Sequence, residues 1–348
     1  MLKMIKNPFF SILIPTYKRA NNLKLAIQCI LMQDFSDFEI IISDNNSNDG
    51  TEDIVRKFKD PRIKYSKNVK NIGWIPNLRK AINAASGTYI LLHGDDDFII
   101  FPQTLSRLYA LIKKESYGFV RMNYLSVLQE KDLIFDFHKD IQRDFKIKPK
   151  ENKKIIVDFI EKIDPFFITG IVFKNNYPKK IDLMNSEFVA WFKIIFYNIY
   201  QFGGYFVQQQ FLAASWSQNA SHPRYQLSNG QFRFEKYFTE VSRLLGGNEY
   251  EQFLNKRLKI IIREFPAAKY YTNNSNLKIF SKRVLEISPK LRFSFEYWFW
   301  FFFSLLAPKL ILAFIRKHIF FRMIANTNIP NYAKMHKRIS YLNSLLNA

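Results

Sequence analysis

Three consecutive carboxylates, Asp95-Asp96-Asp97, follow the apolar run Tyr89–His93 after a single Gly94. Adjacent carboxylates repel one another, and a divalent cation relieves that cost. Mg2+ or Mn2+ takes one or two carboxylates, fills the remaining positions with substrate phosphate oxygens and water, and needs no cysteine or histidine. Two more places carry residues of the same kind. Pro15-Thr16-Tyr17 follows the apolar run Phe10–Ile14, and Asp44 follows Phe38–Ser43. Asp44 is suited to accept a hydrogen bond from a base or a ribose. Taken singly, the triple Asp reads as a solvated turn and Asp44 as an Asx turn. Taken together, in this order, they point to a phosphate-bearing ligand held with a metal.

Such residues converge only if the runs before them are neighbouring strands. The first ~125 residues alternate short β-rich runs with helical ones, as a parallel α/β sheet requires. Strands are expected over Phe10–Ile14, Phe38–Ser43, Ile63–Ser66, Tyr89–His93 and Phe119–Val127. Helices are expected over Leu23–Met32, Glu52–Phe58, Asn77–Ala85 and Pro102–Lys114. In open parallel sheets ligands bind at the carboxyl ends of strands, where all three groups fall. Beyond Val127 the period weakens. Gln129–Lys154 is charged and reads as loop, Asp164–Phe173 as a short strand, Glu187–Tyr200 as an apolar helix and Tyr205–Ala214 as a late strand. Phe232–Leu245 and Tyr250–Phe265 read as amphipathic helices.

Composition narrows the chemistry. The 348 residues are 48% hydrophobic, enough for a large core. The single Cys29 excludes a disulfide framework and a multi-cysteine metal site, and reads as a core residue. No G-x-G-x-x-G and no G-K-[ST] follows a strand, which disfavours hydride transfer and P-loop phosphoryl transfer. The formal charge is +22, which favours polyanionic partners. His93 reads as a buried strand residue or as a support for a metal ligand.

The segment Phe10–Leu105, about a quarter of the chain, resembles the nucleotide-sugar-binding half of the family 2 glycosyltransferases of the GT-A fold. Carrying the resemblance are Ser11-Ile12-Leu13-Ile14-Pro15-Thr16-Tyr17-Lys18-Arg19, Phe38–Thr51 with its Asp44-Asn45-Asn46-Ser47-Asn48-Asp49-Gly50, Asn71-Ile72-Gly73, Asn77, Ala85–Ile90 and Asp95-Asp96-Asp97. It implies a Rossmann-like, mostly parallel central sheet flanked by helices. It also implies that Pro15, Thr16 and Tyr17 line a nucleotide pocket with Arg19 at its rim, that Asp44 contacts uracil or ribose, and that Asn77 helps hold the nucleotide. Asp96 matches the metal-binding Asp of the D-x-D signature. Asp95 and Asp97 would flank it near ribose and sugar. The family more often has an acid where Gly94 stands, so Asp95 or Asp97 must share the metal with Asp96; Asp97 is assigned as that second ligand and Asp95 as a donor-binding residue, with the two roles left interchangeable.

The family also places an acidic pair at a helix start across the cleft, the second acid being the general base. Glu187 falls on that position, with Ser186 in place of the first acid and Asp182 as a fallback. A Glu there equally stabilises a helix N-terminus. Transfer by direct displacement needs a carboxylate to take the acceptor hydroxyl's proton. Where the family often has Arg-x-His, this chain has Ser215–His222, in which Trp216 could stack on a sugar and Gln218 could bind diphosphate.

The C-terminal segment differs. From Lys290 to Ala348 there are nine Lys/Arg (Lys290, Arg292, Lys309, Arg316, Lys317, Arg322, Lys334, Lys337, Arg338) against one acid, Glu296. Aromatics crowd Phe293–Phe303. The longest uncharged run, Tyr297–Pro308, is 12 residues, whereas a spanning helix needs about 20. This composition suits a helix lying in a membrane interface, or else a helical hairpin packed on the globular part, or a dimer interface. The domains expected are 1–225 for the transferase (donor half 8–125, acceptor half 126–225), 226–290 as a helical extension and 291–348 as an aromatic, basic, membrane-associating tail.

The expected function is a metal-dependent inverting transferase. It moves a sugar from a nucleotide-diphospho-sugar, UDP-linked, to a lipid-linked or surface-glycan acceptor. The expected place is the cytoplasm, peripheral at the inner face of the cell membrane on an anionic surface, with no nucleic-acid partner. The alternative is a non-catalytic, membrane-peripheral binding protein on a degenerate form of the same fold.

Overall fold

The structure is a computed structural model that describes residues 7–128, 133–136, 138, 141, 143–163, 167–178, 191–216, 232–315, 337 and 339. Two compact units emerge, Met1–Ser217 with Thr327–Ala348, and Gln218–Asn326.

The first unit is built on one mixed sheet. Its strands are β1 (Phe10–Thr16), β2 (Phe38–Asp44), β3 (Ile63–Lys67), β4 (Tyr89–Leu92), β5 (Phe98–Ile99), β6 (Phe119–Leu128), β7 (Leu133–Asp136), β8 (Phe145–Ile147), β9 (Ile171–Lys174) and β10 (Gly204–Trp216). The spatial order is β3-β2-β1-β4-β9-β6-β10-β5, with β7 beside β6 and β8 beside β10. β3, β2, β1 and β4 run parallel, as do β6 and β10, while β9 lies antiparallel between β4 and β6. Every residue of β1 and β2 is buried. Central parallel strands are covered on both faces, which is why these two read as unbroken Ile/Leu/Phe runs.

Helices α1 (Ala20–Leu31), α2 (Thr51–Lys57), α3 (Trp74–Ala84), α4 (Thr104–Glu115), α5 (Lys153–Lys162) and α6 (Phe192–Phe202) accompany the sheet. α1 buries Leu23, Ala26, Ile27 and Ile30, the i, i+3, i+4, i+7 stripe of an amphipathic helix. α3 begins at Trp74, ahead of the expected Asn77, because Pro76 falls in the first turn, where no backbone N–H partner is lost.

The stretch 129–154, read as loop, holds β7, β8 and the start of α5 among its described residues. Lysines at β8 and α5 obscured the pattern. Phe145 of β8 nevertheless stacks on Phe206 of β10, ring centroids 5.1 Å apart. Asn152 caps α5 by accepting from the Lys154 N–H at 2.7 Å.

The second unit is helical: α7 (Arg233–Ser242), α8 (Gly247–Arg263), α9 (Phe265–Tyr271), α10 (Asn274–Ile287) and α11 (Phe295–Leu306), with a tight turn over Pro289–Phe293 before α11. Its core is aromatic. Phe265 meets Phe280 at 5.9 Å and Tyr297 at 5.5 Å, and Phe232 meets Phe280 at 4.8 Å. The boundary expected at 290/291 falls inside this unit, because Tyr297 of α11 is fully buried and its hydroxyl bonds Ser281 of α10. Among the described residues no helix is long and apolar enough to cross a membrane.

Candidate active site

Strand register brings the separate signals of the sequence together. Thr16 at the end of β1 pairs with Asp44 at the end of β2. On its other side, Leu13 pairs with Leu92 of β4, and the His93 N–H continues that ladder to Leu13 O at 3.0 Å. The chain leaving β4 therefore delivers the three carboxylates beside the β1 end.

The three differ in what they touch. Asp95 accepts from Thr16 Oγ1 at 2.7 Å and from the Tyr17 backbone N–H. Burial, and next the charge of Asp96, push its carboxyl up to about 7. Asp96 is the more open of the two and is hydrogen-bonded by the Arg19 guanidinium, whose Nη1 also lies 3.5 Å from Asp95 Oδ1. Arg19 thus spans the two carboxylates.

Asp97 turns the other way. One of its oxygens accepts from the Ser215 N–H of β10 at 3.0 Å, and the other accepts from Thr169 Oγ1. Burial, and then Asp96, raise its carboxyl well above the usual range. Both Asp97 oxygens thus accept from donors behind the loop, on Ser215 and Thr169.

Gly94 has a steric reason. A Cβ at that position would run into the Asp97 carboxylate and lie 3.1 Å from Thr169 Oγ1. An acid at position 94, as the family pattern prefers, has no room while Asp97 occupies this place.

Asp44 is fully buried, accepting from the Ser47 N–H at 2.8 Å and from the Tyr65 hydroxyl at 2.7 Å. Burial, and then the bond to Asp44, raise the Tyr65 phenol. Asn77 is a latch rather than a lining residue. Its Nδ2 donates to Ser43 O at 2.8 Å, and its Oδ1 accepts from Ser43 Oγ and Asn68 Nδ2, each at 2.8 Å. The latch extends into a carboxamide network: Asn45 donates to Asn71 Oδ1 at 2.7 Å and accepts from the Ile72 N–H at 2.9 Å. Pro15 is buried beside Ser43 in the β1–β2 register. Tyr17 is 40% exposed at the rim. Its phenol is held below the usual range, chiefly by its hydrogen bond with Asn71 and next by Lys18.

Nothing in the sequence singles out Thr169 or Tyr65 for this site, and Ser47 enters only as part of the Asp44–Gly50 run. Thr169 lies 72 positions from Asp97 and reaches it only because β9 enters the sheet between β4 and β6. Behind Thr169 stands Arg121 of β6, fully buried, whose Nη1 donates to Thr169 O at 2.5 Å and whose Nε donates to Ile163 O at 3.1 Å.

Asp95 and Asp96 offer a cation an oxygen-only, two-carboxylate face already neutralised by a guanidinium. That donor set suits Mg2+ or Mn2+ with water and phosphate completing the shell. Among the described residues no group of three His, Cys, Asp or Glu side chains is arranged to hold a metal on its own. Glu187, with Asp182 and Ser186, and His222 with Gln218, lie outside the described residues; Trp216 ends β10.

The sequence of residues 11–175 matches the family model Glycosyl transferase family 2. Residues 11–175 are a family 2 glycosyltransferase domain. Over 151 residues, 41% of this chain and 47% of the relative, the chain is 36% identical to the GalNAc(5)-diNAcBac-PP-undecaprenol beta-1,3-glucosyltransferase of Campylobacter jejuni. Over 114 residues, 33% of this chain and 45% of the relative, it is 29% identical to the UDP-Glc:alpha-D-GlcNAc-diphosphoundecaprenol beta-1,3-glucosyltransferase WfgD of Escherichia coli. The chain spans about half the length of these relatives. Among solved structures it is similar to S. aureus TarS 1–349 in complex with UDP-GlcNAc. That likeness has a TM-score of 0.54 at 17% identity and covers 96% of this chain and 92% of TarS 1–349. At that identity the likeness speaks to the fold, which is GT-A: a mostly parallel sheet flanked by helices, with the family 2 residues at the β1, β2 and β4 ends.

Proposed function

We propose that this protein is an inverting glycosyltransferase that moves a sugar from a nucleotide-diphospho-sugar, UDP-linked, to a lipid-linked acceptor of surface-glycan synthesis. The observation that carries the reading is the clasp of Thr16 and Arg19 from the β1 end on Asp95 and Asp96 from the β4 end. The relatives' names add undecaprenol-diphosphate acceptors and, for WfgD, a UDP-Glc donor.

In this reading residues 8–125 hold the donor and 126–225 the acceptor. Asp44, Tyr17 and Pro15 border the nucleoside. Asn77, through Ser43 and Asn68, keeps the β2 end in place. Asp96, assisted by Asp95, would hold Mg2+ or Mn2+, which supplies neutralisation of the diphosphate leaving group. Arg19 holds the carboxylates while no donor is present and turns to the diphosphate when one arrives. Asp97 positions the loop from behind. Glu187 is assigned as the base that takes the acceptor's proton. A lipid-linked acceptor places the enzyme at the cytoplasmic face of the cell membrane, on an anionic surface.

The test is a screen of sugar nucleotides for metal-dependent turnover on undecaprenyl-diphospho-glycan acceptors. Turnover of a UDP-sugar, lost in Asp96→Ala and Glu187→Gln, is the expected result. Donor binding without turnover on any acceptor would instead favour the non-catalytic binding protein.

A further inference from the structure

In the helical unit, α11 has two unlike faces. Tyr297 and Ser304 are fully buried, and Phe301 lies beside Phe265. The end of the helix is pinned as well, since Lys269 Nζ of α9 donates to Leu305 O at 2.8 Å and Ala307 O at 3.3 Å. On the opposite face Phe295, Phe299, Phe302 and Leu306 follow one another at helical spacing, and all are exposed, from 48% to 84%. Phe293 before the helix and Leu310 after it extend the same bare character, at 88% and 84% exposed. Isolated apolar residues on a surface need no explanation, but a contiguous aromatic strip does. The helix cannot roll to hide it, because its other face is locked by the contacts just described.

The charges around the strip select its occupant. Exposed Lys290, Arg292 and Lys309 stand at its two ends. Glu296, the one acid of the segment, is taken by Arg263 at 2.8 Å. A second copy of this chain would bring the same basic ends against each other, which opposes self-association. An anionic leaflet complements them, and aromatic rings with a basic border fit the headgroup–acyl boundary.

We propose that the Phe295–Phe299–Phe302–Leu306 face of α11, with Phe293 and Leu310, inserts into the interfacial layer of an anionic bilayer, Lys290, Arg292 and Lys309 meeting the lipid phosphates. This deepens the membrane-bound part of the function proposed above and names the surface responsible. The helix lies in the plane of the leaflet and does not cross it.

The full chain, without donor or acceptor, is sedimented with vesicles of phosphatidylcholine alone and of phosphatidylcholine with phosphatidylglycerol. Binding is expected only with phosphatidylglycerol and is expected to fall with salt. Phe299→Ser with Phe302→Ser should weaken it on the order of tenfold, since each ring forfeits apolar burial, while the circular dichroism melt stays unchanged. Losing one of the three basic residues should cost about fivefold. Unchanged binding in the double variant would overturn the proposal. So would a wild-type dimer in vesicle-free buffer that the double variant dissolves without loss of vesicle binding, which would make the strip a contact between copies. Should the double variant misfold, quenching of wild-type tryptophan fluorescence by brominated lipid decides: quenching supports insertion of the Trp298 and Trp300 helix, and its absence overturns it. A chain that binds vesicles but turns over no donor would sink the transferase reading and leave this one standing; an active chain that ignores vesicles would do the reverse.

Discussion

Thr169 Oγ1 accepts the Gly94 N–H at 2.7 Å and donates to Asp97, so one hydroxyl joins the entry of β9 to the acidic loop after β4. Thr169→Val keeps the shape and removes both bonds. A buried carboxyl and a buried N–H then lose a partner, a loss of about 1–3 kcal/mol each at most. Chemical denaturation should show a drop on that scale, with Thr169→Ser close to wild type. A Val variant as stable as wild type would mean that the loop is held by other contacts.

Gly94→Ala should destabilise for a different reason. Its Cβ enters the space of the Asp97 carboxylate, and overpacking of this kind costs about 1–3 kcal/mol. Asp97→Ala in the same chain should recover part of the loss, because the obstructing group is gone. Double-mutant analysis of unfolding free energies checks this coupling.

How far these contacts could be read from the sequence depends on their range. β1, β2 and β4 announced themselves as apolar runs, and the residues that end them, Thr16, Asp44 and Asp95, were legible from type and position. What stayed hidden depends on chain reversal. Nothing near Thr169 marks it as the partner of Asp97, because sequence does not reveal which way a loop side chain turns. Asn77 is legible by motif, but its partners Ser43 and Asn68 are not, since they come from β2 and the turn after β3. Lysines hid β8 and α5, whose apolar partners lie on other elements.

Acid–base behaviour separates two buried groups. The Asp95 carboxyl keeps its proton up to about pH 7 in the folded chain, whereas an unfolded Asp loses it near pH 3.9. The folded state therefore binds the extra proton in that window, and stability falls as pH rises through it. A divalent cation beside the ionised carboxylates offsets the loss. The rise in Tm on adding Mn2+ should be larger at pH 8 than at pH 5.5; an equal rise at both would contradict the assignment.

His93 has the opposite sign. Burial lowers its imidazole to about 4, so the unfolded chain binds a proton below about 6.5 that the folded chain refuses. Its contribution is intact above pH 6.5 and disappears as pH drops toward 4. His93→Gln should flatten that acid limb in thermal melts recorded from pH 7 to pH 4.

Arg19 should reveal itself in metal affinity rather than in stability. Its side chain is half exposed, and such ion pairs contribute about 1 kcal/mol or less to folding. Removing it as Arg19→Ala frees Asp96 for a cation, so Mn2+ affinity in donor-free protein should rise by up to about fivefold, with donor affinity reduced. Weaker Mn2+ binding in this variant would show that Arg19 is not the counter-charge of the loop.

The most direct test of the whole account is calorimetric titration of UDP into the full chain, with and without Mn2+, for wild type and Asp96→Asn. Binding that requires the metal, and that Asp96→Asn weakens by at least about tenfold, as expected for loss of a charged metal ligand, is the predicted result. UDP binding of equal strength without the metal, or in Asp96→Asn with it, would contradict a diphosphate held through the Asp95–Asp96 face.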